Sequence, residues 1–255
     1  FGDTIFASRF IPHLVAWGFN VVVRAPAPLL RLLERQQGID RVIDNSQPPP
    51  SNVHVQMMMM SLPLNFVIAL EEISHYKPPY VSPDPVLVES WQKRLSQPGP
   101  PNGKKVGLAW AGRPTPPGRS IPFPLLSGIL DTPNIEFHSL QKGPETAESH
   151  GCAVTNWDAQ IEDFADTAAL IANLDLVITI DTAVAHLAGA MNKPVWVMLR
   201  YAADWRWFLG RPDSPWYPSM RLFRQRTPGD WAGVVEDVSK ALVEVRPGSD
   251  SGTIA

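Results

Sequence analysis

The sequence predicts an α/β protein made of two Rossmann-like halves, each with a parallel sheet, facing a cleft. Three observations predict it. In the second half, short apolar runs alternate with segments of helical spacing, the pattern of a parallel sheet covered by helices. The run Asp175–Ile180 is nearly all apolar, as a strand covered on both faces requires. The stretch Ser96–Gly103 is so rich in Pro and Gly that it can form neither helix nor strand interior, and it falls near the middle of the 255 residues. The expected division is therefore one unit over residues 1–97, a linker over 98–103 and a second unit over 104–255.

Each element follows from local pattern. Thr4–Trp17 has helical spacing, Asn20–Arg24 reads as a strand, and Pro28–Arg35 as a helix with Pro in an early turn. Arg41–Ile43 and Val53–Met58 read as short strands, and Val86–Leu95 as a helix leading into the linker. After the linker, Lys105–Trp110 and Ile135–Leu140 are strands. Asp163–Leu174 is a helix with Phe164, Thr167, Ala168 and Ile171 on one face. Asp175–Ile180 is a strand, Thr182–Met191 a small-residue helix and Pro194–Leu199 a strand. Met220–Arg224 is a further strand and Trp231–Val243 a closing helix. No repeat of 20–50 residues is visible.

Composition excludes several function classes. Apolar residues make up 44% and charged residues 18%, so a core can form and a disordered chain is excluded. A net charge of −3 gives no bulk basic field for nucleic acid or an anionic membrane. The single cysteine, Cys152, excludes an intrachain disulfide framework and a multi-cysteine zinc site. His13, His54, His75, His138 and His150 show no metal-ligand spacing, so no metal site is expected. The longest apolar run, Leu62–Leu70, is interrupted by Pro63 and Asn65 and falls far short of the ~20 residues of a membrane span. With no signal-peptide pattern either, the expected location is cytoplasmic. The 27 prolines are about twice the ~5% background and cluster in the linker and in loops.

Two motifs carry chemistry. Phe1-Gly2-Asp3-Thr4 sits just before a helix: Gly2 permits a tight turn or a close ligand approach, and Asp3 is either the helix N-cap or a carboxylate facing the cleft. The strand that should precede this turn is expected before residue 1, in a longer protein. The second motif is Asp181-Thr182-Ala183-Val184-Ala185-His186-Leu187-Ala188-Gly189-Ala190, directly after a strand. Thr182 and Ala183 fall on the first helical turn, where free N–H groups and the helix dipole favour an anion, typically phosphate. Thr182 adds a hydroxyl, and His186, four residues on, shares its face. Taken singly, each of these residues is also accounted for by capping or packing.

Together they resemble a known family. Asp181–Ala190 followed by Asn192-Lys193-Pro194-Val195 is similar to the nucleotide-sugar motif of the heptosyltransferases, glycosyltransferase family 9. Gly2-Asp3-Thr4 resembles that family's N-terminal Gly-Asp loop. Gly107–Trp110, Arg119–Pro122, Ser139–Gly143, Asp163–Ala168 and Asp204–Trp207 fit as well, most like the bacterial subgroup fused behind tetratricopeptide repeats. The resemblance implies a GT-B fold, with the donor bound by the C-terminal domain and the acceptor approached from the N-terminal one. It implies transfer of a sugar from a nucleotide diphosphate donor with inversion and without a metal cofactor, and it gives Asp3 the role of general base. Arg119, Gln141, Lys142, Asp181, Thr182, Ala183 and His186 become the expected donor site. Arg119 would offer a guanidinium fork to phosphate, and Gln141 and Lys142 would contact base or ribose. The acceptor is left open between a glycan and a protein hydroxyl.

Residues 193–226 carry seven basic side chains against Asp204 and Asp213, interleaved with Trp205, Trp207, Trp216 and Tyr217, and read as a local phosphate or acceptor surface or as packing. Arg200 stands where the subgroup more often has proline. Met57–Met60 is expected as core strand plus turn. Two other readings stay open: a non-catalytic nucleotide-sugar or glycan-binding module, and a GT-B nucleotide-sugar epimerase.

Overall fold

The computed structural model of the chain describes residues 1–66, 69–96 and 103–244. Residues 98–102 of the expected linker lie outside the described residues; Gly103 leads directly into a strand.

The first half begins with helices α1 (Gly2–Ala7) and α2 (Ile11–Ala16), joined through one 3-10 turn. Strands β1 (Val22–Ala25) and β2 (Arg41–Asp44) pair in parallel around α3 (Leu30–Leu33), and no other strand joins this sheet among the described residues. Helices α4 (Leu62–Phe66) and α5 (Pro85–Leu95) follow. The start of α5 is written in the sequence: Asp84 accepts a hydrogen bond from the Val86 N–H at 2.8 Å, and Pro85 occupies the first turn, where no donor is lost.

The second half contains β3 (Lys104–Ala109), α6 (Ser127–Leu130), β4 (Ile135–Ser139), β5 (Val154–Asn156) and α7 (Phe164–Ala172). It continues with β6 (Leu176–Ile180), α8 (Ala183–Ala190), β7 (Val195–Leu199), β8 (Met220–Arg224) and α9 (Trp231–Glu244). The six strands form one parallel sheet in the order β5-β4-β3-β6-β7-β8, the doubly wound order with a switch point between β3 and β6.

Side chains of neighbouring positions go to opposite faces, and the core shows it. Trp196 and Met198 of β7 pack with Ile129, Val234 and Val238 on the α6/α9 face. Val195, Val197 and Leu199 pack with Leu170 and Leu187 on the α7/α8 face. This second cluster is continuous with Phe6, Leu32 and Trp91, so the first half shares the core that covers one face of the large sheet. Polar contacts reinforce the seam. Arg31 of α3 lies 3.2 Å from Asp163 and 3.5 Å from Asp166 at the start of α7, and the Trp91 indole N–H of α5 donates to Asp166 at 3.1 Å.

The expected strand over Val53–Met58 does not form. Its residues are exposed, Met58 at 77%, and the next residues make a 3-10 turn, Met59–Ser61. Unbranched methionines have little preference for a pleated surface, and Pro48–Pro50 just upstream remove three ladder donors. Of the methionine run, Met57 and Met58 are exposed, whereas Met59 and Met60, in the turn, are half-buried against the core. Strand β5 and helix α4 were not expected from the pattern; at three and five residues they are too short to show a period.

Within the large sheet, His138 of β4 accepts a hydrogen bond from the Trp157 indole N–H at 3.2 Å through Nδ1. Burial lowers its pKa to about 4, against the opposing pull of Glu136. The folded state therefore refuses a proton that the unfolded chain accepts below its ordinary value near 6.5, and stability falls as pH drops through that window. Urea unfolding should show a loss of about 2 kcal/mol from His138 between pH 7 and pH 5, and His138→Gln should make the pH dependence correspondingly shallower.

Candidate active site

A cavity of about 820 Å³ opens at the carboxyl ends of β3 and β6, at the switch point, which is where open parallel sheets bind ligands. The segment after β3 supplies Ala111, Gly112, Arg113 and Arg119, and the segment after β4 supplies Gln141 and Lys142. The β6–α8 junction supplies Asp181, Thr182, Ala183 and Val184. The start of α1 forms the opposite wall with Gly2 and Asp3. All eight residues singled out from the sequence, Asp3, Arg119, Gln141, Lys142, Asp181, Thr182, Ala183 and His186, line this one cavity.

The floor is the N-terminus of α8. Thr182 is its N-cap, yet no side chain accepts from the first turn, so the N–H groups of Ala183 and Val184 are left for whatever enters the cavity. The Thr182 hydroxyl lies 3.2 Å from the Thr179 hydroxyl, which itself donates to the Ile180 carbonyl at 3.0 Å. Thr179 therefore accepts from Thr182, and Thr182 must rotate to donate to a ligand. Burial pushes the Asp181 carboxyl above its usual range; Arg119 opposes this and Asp204 adds to it. Arg119 makes no salt bridge among the described residues, and its Nε is buried without a partner. It lines the cavity as a cation open to an anionic ligand.

Gln141 and Lys142 are more committed than the sequence suggested. The N–H groups of Trp110 and Ala111 donate to Gln141 Oε1 at 3.2 and 3.0 Å, so this side chain fixes the loop after β3. The Lys142 ammonium donates to the Asp158 carbonyl at 2.5 Å and lies 3.2 Å from its carboxylate. Asp158 thus anchors Lys142 at the rim of the cavity.

Asp3 does not cap α1; Phe1 holds the N-cap position, and no side chain caps that helix. The Asp3 carboxylate instead accepts from Arg206 Nη2 at 2.5 Å through Oδ1, and its side chain remains 63% exposed, so Oδ2 can meet a substrate hydroxyl. Arg206 is itself buried, lies over the rings of Phe6 and Trp205, and donates to Asp204 at 2.9 Å. It lines the cavity and orients Asp3, a role that sequence reasoning missed. The signal available was the Asp204–Trp207 block, quoted for its resemblance but not assigned to the site. The rest of the basic stretch disperses: Lys193 donates to the Ala172 carbonyl, Arg211 pairs with Asp213, Arg226 with Asp237, and Arg221 lies against Trp196. Trp207, Trp216 and Tyr217 are buried. Trp207, Trp216 and Tyr217 are packing, Trp205 stays half exposed, and of the stretch Asp204 and Arg206 line the cavity.

His186 is buried on the wall between α1 and α8. Its ring stacks on Trp207 at 5.2 Å between centroids, meets Phe6 edge-on at 5.8 Å, and places Nδ1 2.9 Å from the Tyr217 hydroxyl. Burial, then Arg206 and Arg9, push its pKa well below the ordinary value, so the imidazole is neutral. Among the described residues, no group of three or more His, Cys, Asp or Glu is arranged to hold a metal ion. No helix of the described residues is long and apolar enough to cross a membrane.

This arrangement leaves backbone N–H groups open at the start of α8 and presents a carboxylate from α1 across the same cavity. Residues 160–212 match the model of glycosyltransferase family 9 (heptosyltransferase). The matched segment contains α7, β6, α8 and Arg206, so the resemblance read from the Asp181–Ala190 motif holds. Protein FlbA of Caulobacter vibrioides is 36% identical over 174 residues, which are 64% of this chain and 28% of that protein; the chain thus spans less than a third of that relative's length. The E. coli ADP-heptose LPS heptosyltransferase II has a similar structure at a TM-score of 0.62 and 13% identity, covering 95% of this chain and 93% of that one. A family 9 glycosyl transferase from Veillonella parvula gives a TM-score of 0.64 at 9% identity, covering 95% and 92%. The fold is GT-B, and these findings support a glycosyltransferase.

The wall between α1 and α8 yields a prediction. A Cβ on Gly2 would lie 2.8 Å from His186 Cδ2, and that ring is held between Phe6 and Trp207 and cannot retreat. Gly2→Ala should cost about 1–3 kcal/mol of stability by overpacking, read as a lower urea midpoint at unchanged slope.

Proposed function

We propose that this chain is an inverting glycosyltransferase unit that moves a sugar from a nucleotide diphosphate donor to an acceptor hydroxyl and needs no metal. One observation carries the reading: a helix N-terminus with uncapped N–H groups and an uncommitted arginine faces, across one cavity, a carboxylate with a free oxygen. The diphosphate would lie on the Ala183 and Val184 N–H groups with Arg119 beside it. Asp3 would take the proton of the acceptor hydroxyl as its oxygen bonds to the anomeric carbon. The bond from that carbon to the diphosphate breaks on the opposite side, which inverts the configuration. The charge gained by the leaving diphosphate falls on donors already in place, which is the kind of stabilisation that is worth most in a transition state. Asp181 and Thr182 would bound the sugar–phosphate junction, and Lys142 the nucleoside end. Gln141 would act through the loop it holds. The resemblance to the repeat-fused subgroup, a cytoplasmic location, and a glycan or protein acceptor belong to the same proposal.

The pairing of Asp3 with Arg206 favours one rival, a binding module whose carboxylate is held by a cation and does no chemistry. Turnover separates the two. One structural neighbour is E. coli heptosyltransferase WaaC with ADP-2-deoxy-2-fluoro heptose, so ADP-linked sugars come first in a donor panel. Transfer by the full-length protein should persist in EDTA, and NMR of the product should show the inverted anomer. Asp3→Asn should lower kcat ~10²- to 10⁴-fold with nucleoside diphosphate affinity unchanged, whereas Arg119→Ala should weaken that affinity ~10-fold or more. Donor binding without turnover in the full-length protein would establish the rival.

A further inference from the structure

Arg9 is a buried cation, 2% exposed, with no carboxylate within salt-bridge distance among the described residues. Its guanidinium is held instead by the rings of Phe6, Tyr80, Trp216 and Tyr217, with 4.3–4.9 Å from Cζ to each centroid, and by the carbonyls of Phe6 and Trp216. Its remaining bond goes to the Tyr80 hydroxyl, from Nη2, at 3.0 Å. The Tyr80 hydroxyl lies 3.3 Å from that of Tyr217, which lies 2.9 Å from His186 Nδ1. Four side chains thus form one polar chain, buried except at the half-buried Tyr80, that ends on the wall of the cavity.

The chain has a direction. Arginine is only a donor, so Tyr80 accepts from it and its own proton is free for Tyr217. In the arrangement that gives both hydroxyl protons an acceptor, Tyr217 accepts from Tyr80 and donates to His186 Nδ1. With Nδ1 accepting, a neutral imidazole carries its proton on Nε2. Burial raises the pKa of both tyrosines and lowers that of His186, so each member other than Arg9 stays uncharged. Gly189 makes the geometry available: a Cβ there would lie 2.6 Å from the Tyr217 ring.

We infer that Arg9, Tyr80 and Tyr217 are positioning residues that lock His186 in its Nε2–H form, making it a neutral hydrogen-bond donor to the anionic diphosphate. The diphosphate part of this inference rests on the function proposed above; the tautomer does not. A histidine free to exchange tautomers would present a lone pair to phosphate oxygens for part of the time; the locked form keeps an N–H toward them.

The test begins without ligand. In ¹⁵N-histidine-labelled protein, His186 should show a protonated Nε2 and an unprotonated Nδ1, and Tyr217→Phe should convert this to a mixture or to the Nδ1–H form. Tyr80→Phe, which keeps the Tyr217 hydroxyl but removes the link to Arg9, should shift the balance in the same direction to a smaller extent. Calorimetry with ADP as probe should then show ~10-fold weaker binding to Tyr217→Phe, as expected for one lost hydrogen bond to a charged group. An Nδ1–H His186 in the wild type, or an Nε2–H His186 unchanged in both variants, would overturn the inference. Should Tyr217→Phe fail to fold, Tyr80→Phe decides by the same readout. A correct tautomer in a protein that binds no nucleoside diphosphate would uphold the lock and refute the donor site.

Discussion

The cavity exists because α1 lies directly against α8. Residue 2 has no side chain, so the backbone at the start of α1 comes into contact range of the His186 ring and the Ala183 backbone. That single close approach brings a carboxylate from the first turn of one helix to face the open N–H groups of another. Everything else in the site is arranged around it. Arg206 orients Asp3 from one side, Trp207 and Phe6 hold His186 from the other, and Gln141 fixes the loop that carries Arg119 toward the same space. The contact also explains why one core runs through both halves: Phe6, three residues after Asp3, belongs to the cluster that covers the α7/α8 face of the large sheet.

Electrostatically, the cavity alternates charges without a single dominant sign. Arg119 lies near the raised carboxyl of Asp181, and Arg206 divides its bonds between Asp3 and Asp204. The buried Arg9 lies behind this layer and carries charge into a region where no acid among the described residues pairs with it. Aromatic faces and carbonyls compensate it, which is less costly than leaving a cation bare and leaves its direction as a donor undiluted. The consequence reaches the cavity wall through Tyr80, Tyr217 and His186.

Much of the large sheet could be read from the chain, because nearly continuous apolar strands such as Leu176–Ile180 and an amphipathic helix such as Trp231–Glu244 carry their own period. The β6–α8 junction could be read for a different reason: a helix start after a buried strand has unmet N–H groups whatever surrounds it. What could not be read is what depends on distant partners. Asp3 has the sequence context of a cap, yet its partner is 203 residues away. Gln141 stands at a strand end like a ligand contact, but it satisfies the backbone of a neighbouring loop. Arg9 has nothing near it in sequence to mark it as the start of a polar chain. Met57 and Met58 carry the hydrophobicity of a core strand but meet no pleated surface, so only Met59 and Met60 reach the core.

The proposed function turns on one point: the α8 N-terminus is where a diphosphate binds, with Asp3 across the cavity from it. A crystal structure with a nucleoside diphosphate bound tests this directly. Diphosphate oxygens should lie within hydrogen-bond distance of the Ala183 and Val184 N–H groups and of the Arg119 guanidinium, with Asp3 facing the terminal phosphate. A diphosphate bound elsewhere, or a cavity that stays empty at saturating nucleotide, would contradict it.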